Sequence, residues 1–103
     1  MAQERVSRQN VAVTTDTNIL ATSLKPANPP STFTVMASFS AIGIFRVTIT
    51  KAGDTQTLAF NSGANLVADA LYTFSFLVHS GDTINFQHSV DATLRVLRVQ
   101  EIA

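Results

Sequence analysis

Apolar and polar residues alternate one by one along most of this chain, the period of a half-buried β-strand. Phe33, Val35, Ala37 and Phe39 stand against Thr32, Thr34, Met36 and Ser38, and Phe45, Val47 and Ile49 stand against Arg46, Thr48 and Thr50. Tyr72, Phe74, Phe76 and Val78 against Thr73 and Ser75 form the clearest run, expected as the core strand. His79-Ser-Gly-Asp82 then turns the chain into Ile84, Phe86 and His88, so a hairpin between these two strands is expected. Val11 and Val13 open the series, and Thr57, Leu58 and Phe60 make a shorter strand in its middle.

Two places break the period. Ile42 and Ile44 fall on the polar side of the strand that follows Gly43, and near Val96 the apolar phase jumps from Leu94 and Val96 to Leu97 and Val99. Each break predicts a bulge, a sheet corner or a second apolar surface. If the second surface is the answer, Ile42, Ile44, Leu97 and Val99 become candidate subunit-interface residues.

Between the strands lie turn residues. Asp16-Thr-Asn18 leads into Ile19-Leu-Ala-Thr-Ser23, the three prolines of Lys25-Pro-Ala-Asn-Pro-Pro-Ser31 demand a stiff surface loop, and Lys51-Ala-Gly-Asp-Thr55 marks a turn. Leu66 to Ala70 could form one helical turn, but no ten-residue segment sustains a helical apolar pattern. Seven or eight short strands at regular spacing predict an all-β fold, a jelly roll or β-sandwich of about eight antiparallel strands. Residues 1–10 are polar and aperiodic and read as an extended N-terminal arm, which leaves residues 11–103 as one sandwich domain.

Composition narrows the partners. Charged residues make up 14% of the 103 residues, against about a quarter in an ordinary domain. The net charge is +0 and the pI about 6.7, so no field gathers a polyanion, and nucleic acid and anionic membrane are excluded as expected partners. Cysteine is absent, which removes disulfides and thiolate zinc sites. No apolar leader opens the chain, so synthesis inside a cell is expected.

Candidate chemistry is sparse. His79-Ser-Gly-Asp82 and His88-Ser-Val-Asp91 share the form His-Ser-x-Asp, and two such clusters side by side would bring two imidazoles and two carboxylates together. Ser and Asp also cap turns through side-chain bonds to the backbone, and that reading is preferred. Ser80 beside His79 points away from it on a strand or turn, and Gly81 opens no helix, so neither a serine nucleophile nor a phosphate cradle is expected. With no tryptophan and the phenylalanines facing inward, no sugar-stacking platform is evident. No enzyme activity, no metal and no cofactor are expected.

The stretch from Leu71 through Tyr-Thr-Phe-Ser-Phe-Leu-Val-His-Ser-Gly-Asp-Thr-Ile-Asn to Phe86, with Ala92-Thr-Leu-Arg-Val-Leu-Arg-Val-Gln-Glu-Ile102, resembles the closing strands of small jelly-roll decoration, or cement, proteins of tailed bacteriophages. Its Tyr-x-Phe-x-Phe and Gly-Asp-x-Ile-x-Phe elements also occur in C1q-like and TNF-like trimers. The resemblance implies a homotrimer on the outside of a virion, bound to the major capsid protein and bracing the shell. On that expectation Arg5, Arg8 and Gln9 of the arm are candidate capsid-binding residues. The alternative is a receptor- or glycan-binding tip domain of a viral fibre.

Overall fold

The inward-facing residues of seven strands meet between two antiparallel sheets. The structure is a computed structural model that describes residues 2–103. Its strands are β1 (Ala2–Val13), β2 (Ser31–Phe39), β3 (Phe45–Lys51), β4 (Asp54–Ala59), β5 (Tyr72–Val78), β6 (Thr83–His88) and β7 (Ala92–Ile102). One sheet has the order β1-β7-β2-β5 and the other β4-β3-β6. Residues 16–24 run along the open side of β6: the N–H groups of Asp16, Ile19 and Leu24 donate to the carbonyls of His88, Phe86 and Ile84, and Ile84 N–H donates back to Leu24. With that segment counted as an eighth strand, both sheets follow the order of a jelly roll, two Greek keys folded face to face.

The core follows from the alternation. Phe33, Val35, Ala37 and Phe39 of β2 are buried with Leu94, Leu97 and Val99 of β7, facing Phe45 and Val47 of β3 and Ile84 and Phe86 of β6. Phe39 meets Phe45 across the two layers at 5.1 Å, and Phe60 stacks on Phe74 at 4.2 Å. A phenylalanine buried as completely as Phe39 or Phe45 contributes about 1.5–3 kcal/mol by leaving water. β3 and β4 join through a two-residue turn, Ala52-Gly53, with positive φ at both positions, the geometry that matches the twist of a hairpin.

Several expectations are corrected. Residues 2–10 are not an arm but most of β1, paired with β7 from Ala2–Ile102 to Val13–Ala92; Met1, the first residue of the expected arm, lies outside the described residues. An edge strand is held by its neighbour's backbone and needs little apolar pattern of its own, and here Val6 and Val13 are its buried contacts. Leu97 and Val99 are not on a subunit interface: Ser38 pairs with Val96 while Phe39 pairs with Leu94, so Arg95 is an extra residue that turns both side chains into the core.

β5 is likewise an edge strand rather than a central one, and Tyr72, Phe74 and Phe76 are only half-buried. It forms no hairpin with β6; the turn at His79–Asp82 carries the chain from one sheet to the other. The only helical turn among the described residues is a short 3-10 segment at Asn61–Gly63, while Leu66 bridges to Gly43.

Candidate binding surfaces

Arg5 occupies the bulge of β1, between the pairs Glu4–Gln100 and Val6–Val99. The bulge aims its guanidinium back at the protein, where it pairs with Glu101, donates to the Lys25 carbonyl at 2.8 Å and lies 5.8 Å over the Phe33 ring. Glu101 is buried beneath the proline loop and also accepts from the N–H groups of Ala27 and Asn28, both at 2.9 Å, and from the Ser31 hydroxyl at 2.7 Å. Burial raises the pKa of that carboxyl, but the Ala27 and Asn28 N–H groups, then Ser31 and Arg5, outweigh it and bring it from 4.5 to about 2. This cluster ties β1, β7 and the 25–31 loop together. Arg5 is therefore committed within the chain rather than offered to a capsid, while Arg8 and Gln9 stand exposed on β1 opposite Leu97 and Val96.

The two His-Ser-x-Asp elements lie at opposite ends of β6; the first closes its own turn, as expected, whereas Ser89 and Asp91 of the second tie in segments far along the chain. Asp82 accepts from the His79 N–H at 2.8 Å, and Asp91 accepts from the Thr15 N–H at 2.7 Å and the Thr15 hydroxyl at 2.9 Å, which hold its carboxyl below the usual range. Ser89 accepts from the Ile44 N–H at 2.7 Å. His79 is exposed, whereas His88 is fully buried, with Nδ1 3.0 Å from the Val90 carbonyl and its ring stacked on Phe39 at 4.1 Å. Among the described residues no group of three or more His, Asp and Glu is placed to hold a metal.

The outer face of the four-stranded sheet is broad and nearly neutral. Its cross-strand rows are Ala2–Ile102–Thr32–Leu77, Glu4–Gln100–Thr34–Ser75 and Ser7–Arg98–Met36–Thr73. Only Glu4 and Arg98 carry charge in these rows. Thr34, Met36, Thr73, Arg98 and Gln100 line a shallow depression of about 150 Å³ at the centre, and Leu77 and Ile102 are exposed at one end. No family model matches the chain, and no curated protein matches it significantly.

Of the expected interface residues, Ile42 is 59% exposed on the loop before β3 and Ile44 is half-buried. Sequence reasoning missed Glu101 and Asn85. Asn85 is buried on the outward side of β6, where it accepts from the Leu20 N–H at 3.0 Å and donates to the Leu20 carbonyl at 2.9 Å, pinning the 16–24 segment. An acidic residue in an apolar strand end was the one available signal for Glu101, since its backbone partners lie about 70 residues away.

Proposed function

We propose that this protein is a structural virion component that docks on the outside of a bacteriophage shell as a decoration or cement protein. The neutral outer face of the β1-β7-β2-β5 sheet is the observation that carries the reading, because its cross-strand rows offer a largely uncharged area suited to another folded protein. A polyanion would need a basic stripe there, but Arg98 is the one cation in these rows and Arg95 on the same strand is paired with Asp69. The resemblance of the closing strands to decoration proteins supplies the shell as the partner. The major capsid protein is then the surface contacted. Of the four candidate subunit-interface residues only Ile42 and Ile44 remain near the surface, so the docking face is proposed independently of the trimer that the resemblance implies.

The test is co-sedimentation with shells assembled without this protein. Thr34→Glu with Gln100→Glu sets two carboxylates opposite one another in the row of Glu4, more than Arg98 beside them can pair, and shell affinity should fall by about tenfold or more, since an unpaired charge at a buried contact costs well over 1 kcal/mol. Thr57→Glu, on the exposed β4 of the other sheet, should bind as the wild type does. Equal binding of all three proteins would remove this face from the proposal.

A second reading as a fibre tip domain is favoured by one feature. Lys25, Pro26, Pro29, Ser80, Asp82 and Thr83 line an open cleft of about 300 Å³ between the proline loop and the β5–β6 turn, a site for a small polar ligand such as a sugar. Binding on a glycan array, abolished by Lys25→Ala with Thr83→Ala, would move the assignment to that reading.

A further inference from the structure

β5 pairs on one side only. It meets β2 without a register break from Tyr72–Ala37 to Val78–Ser31, and among the described residues no backbone hydrogen bond reaches its other side. Alternate N–H and C=O groups along it therefore face outward unpaired.

The opposite edge of the same sheet is protected. β1 carries the Arg5 bulge, a left-handed Asn10 and the charges of Glu4 and Arg8, the features that keep an edge from pairing with another chain. β5 has no charge, proline, glycine or bulge. β4, the edge of the second sheet, offers mainly threonine and glutamine, with Leu58 as its one large apolar side chain.

The sequence along this free edge also has a symmetry. From Leu71 to Leu77 it reads Leu-Tyr-Thr-Phe-Ser-Phe-Leu: aliphatic, aromatic, hydroxyl, aromatic, hydroxyl, aromatic, aliphatic from either end. Such a segment is complementary to itself in antiparallel register, as a two-fold contact requires. We propose that β5 pairs with β5 of a second copy of this chain about a two-fold axis through Phe74. Leu71 then stands opposite Leu77, Tyr72 opposite Phe76, Thr73 opposite Ser75, and Phe74 opposite its own counterpart. Leu71 and Leu77, 60% and 68% exposed in the single chain, cover one another, and no charges are opposed.

The axis of an antiparallel pair stands perpendicular to the sheet, so the outer faces of both copies look the same way. The joined sheet doubles the neutral face. This dimer goes beyond the shell-docking proposal and forms with or without a shell, so either can fail while the other stands.

Sedimentation velocity of the full chain at high micromolar concentration tests it with two variants of exposed positions. Thr73→Lys with Ser75→Lys opposes like charges twice across the axis, whereas Thr73→Lys with Ser75→Glu opposes unlike charges twice. The wild type and the Lys/Glu variant should sediment as two chains. The Lys/Lys variant should sediment as one, with a dissociation constant raised by about tenfold or more. Far-ultraviolet circular dichroism of all three should agree, which separates lost pairing from lost folding. A single-chain or three-chain wild type, a Lys/Lys variant that stays paired, or a folded Lys/Glu variant that does not pair would overturn the proposal.

Discussion

Arg5 and Glu101 lie 96 positions apart in the chain and form an ion pair beneath the proline loop, Arg5 from a bulge in the first strand and Glu101 from the end of the last. Around this pair the N–H groups of Ala27 and Asn28 close down on the carboxylate, so both ends of the chain and the stiffest loop share one anchor. Breaking a buried charged cluster by removing one member leaves the others unpaired and costs about 3–5 kcal/mol. Glu101→Ala should therefore destabilise by roughly that amount in urea unfolding, while Arg5→Ala, which leaves Glu101 three donors, should cost about 1–2 kcal/mol.

The same carboxylate sets a pH dependence. Its folded pKa of about 2 lies below the ordinary value of 4.5, so its contribution is fully present above that ordinary value and is lost as pH falls from 4.5 towards 2. The difference amounts to about 3 kcal/mol. Urea midpoints measured between pH 7 and pH 2.5 should fall steeply over the acid limb for the wild type, and Glu101→Gln should flatten that limb. An equal acid slope in both proteins would show that other carboxylates carry it.

Gly43 lies against the buried ring of His88. A Cβ at this position would stand 2.5 Å from the His88 Cε1, closer than packed atoms approach. Gly43→Ala should cost about 1–3 kcal/mol by forcing the ring from its stack on Phe39. In the His88→Ala background the same change should cost much less. Additive losses in this double-mutant cycle would show that the strain lies elsewhere.

Asn85 binds the 16–24 segment through the backbone of Leu20 and the Ser23 hydroxyl. Asn85→Ala should leave buried backbone groups without partners at a cost of about 1–3 kcal/mol. Hydrogen exchange at Ile19 and Leu20 should accelerate more than at Val47 or Val35, because the segment opens before the sheets do.

The N-terminal segment marks where sequence reading and structure part. Only Val6 among residues 2–10 is buried, so the apolar pattern there was too thin to show a strand, yet seven of the ten register pairs of β1 fall in this segment and tie it to β7. Deleting residues 2–10 should therefore abolish cooperative melting rather than spare it, since it bares the β7 edge. An unchanged melt by circular dichroism would restore the arm.

The alternating residues of β2, β3 and β6 declared their inward faces in the sequence, because burial on one side imposes a period of two. The phase jump at Val96 likewise announced the β7 bulge. That jump did not say whether Leu97 and Val99 met a core or a partner, since both satisfy the same pattern; the extra residue at Arg95 decided for the core. Alternation in β5 gave its inner face but not its place at an edge, which depends on strand order. Glu101 and Asn85 act through backbone groups far along the chain, and no local spacing reveals such contacts.

A reconstruction of shells decorated with this protein tests the docking proposal most directly. The expected map places Thr34, Met36 and Gln100 against the capsid surface, with β3 and β4 turned to solvent. A map with the four-stranded sheet facing outward, or with the cleft between Lys25 and Thr83 as the point of contact, would contradict it.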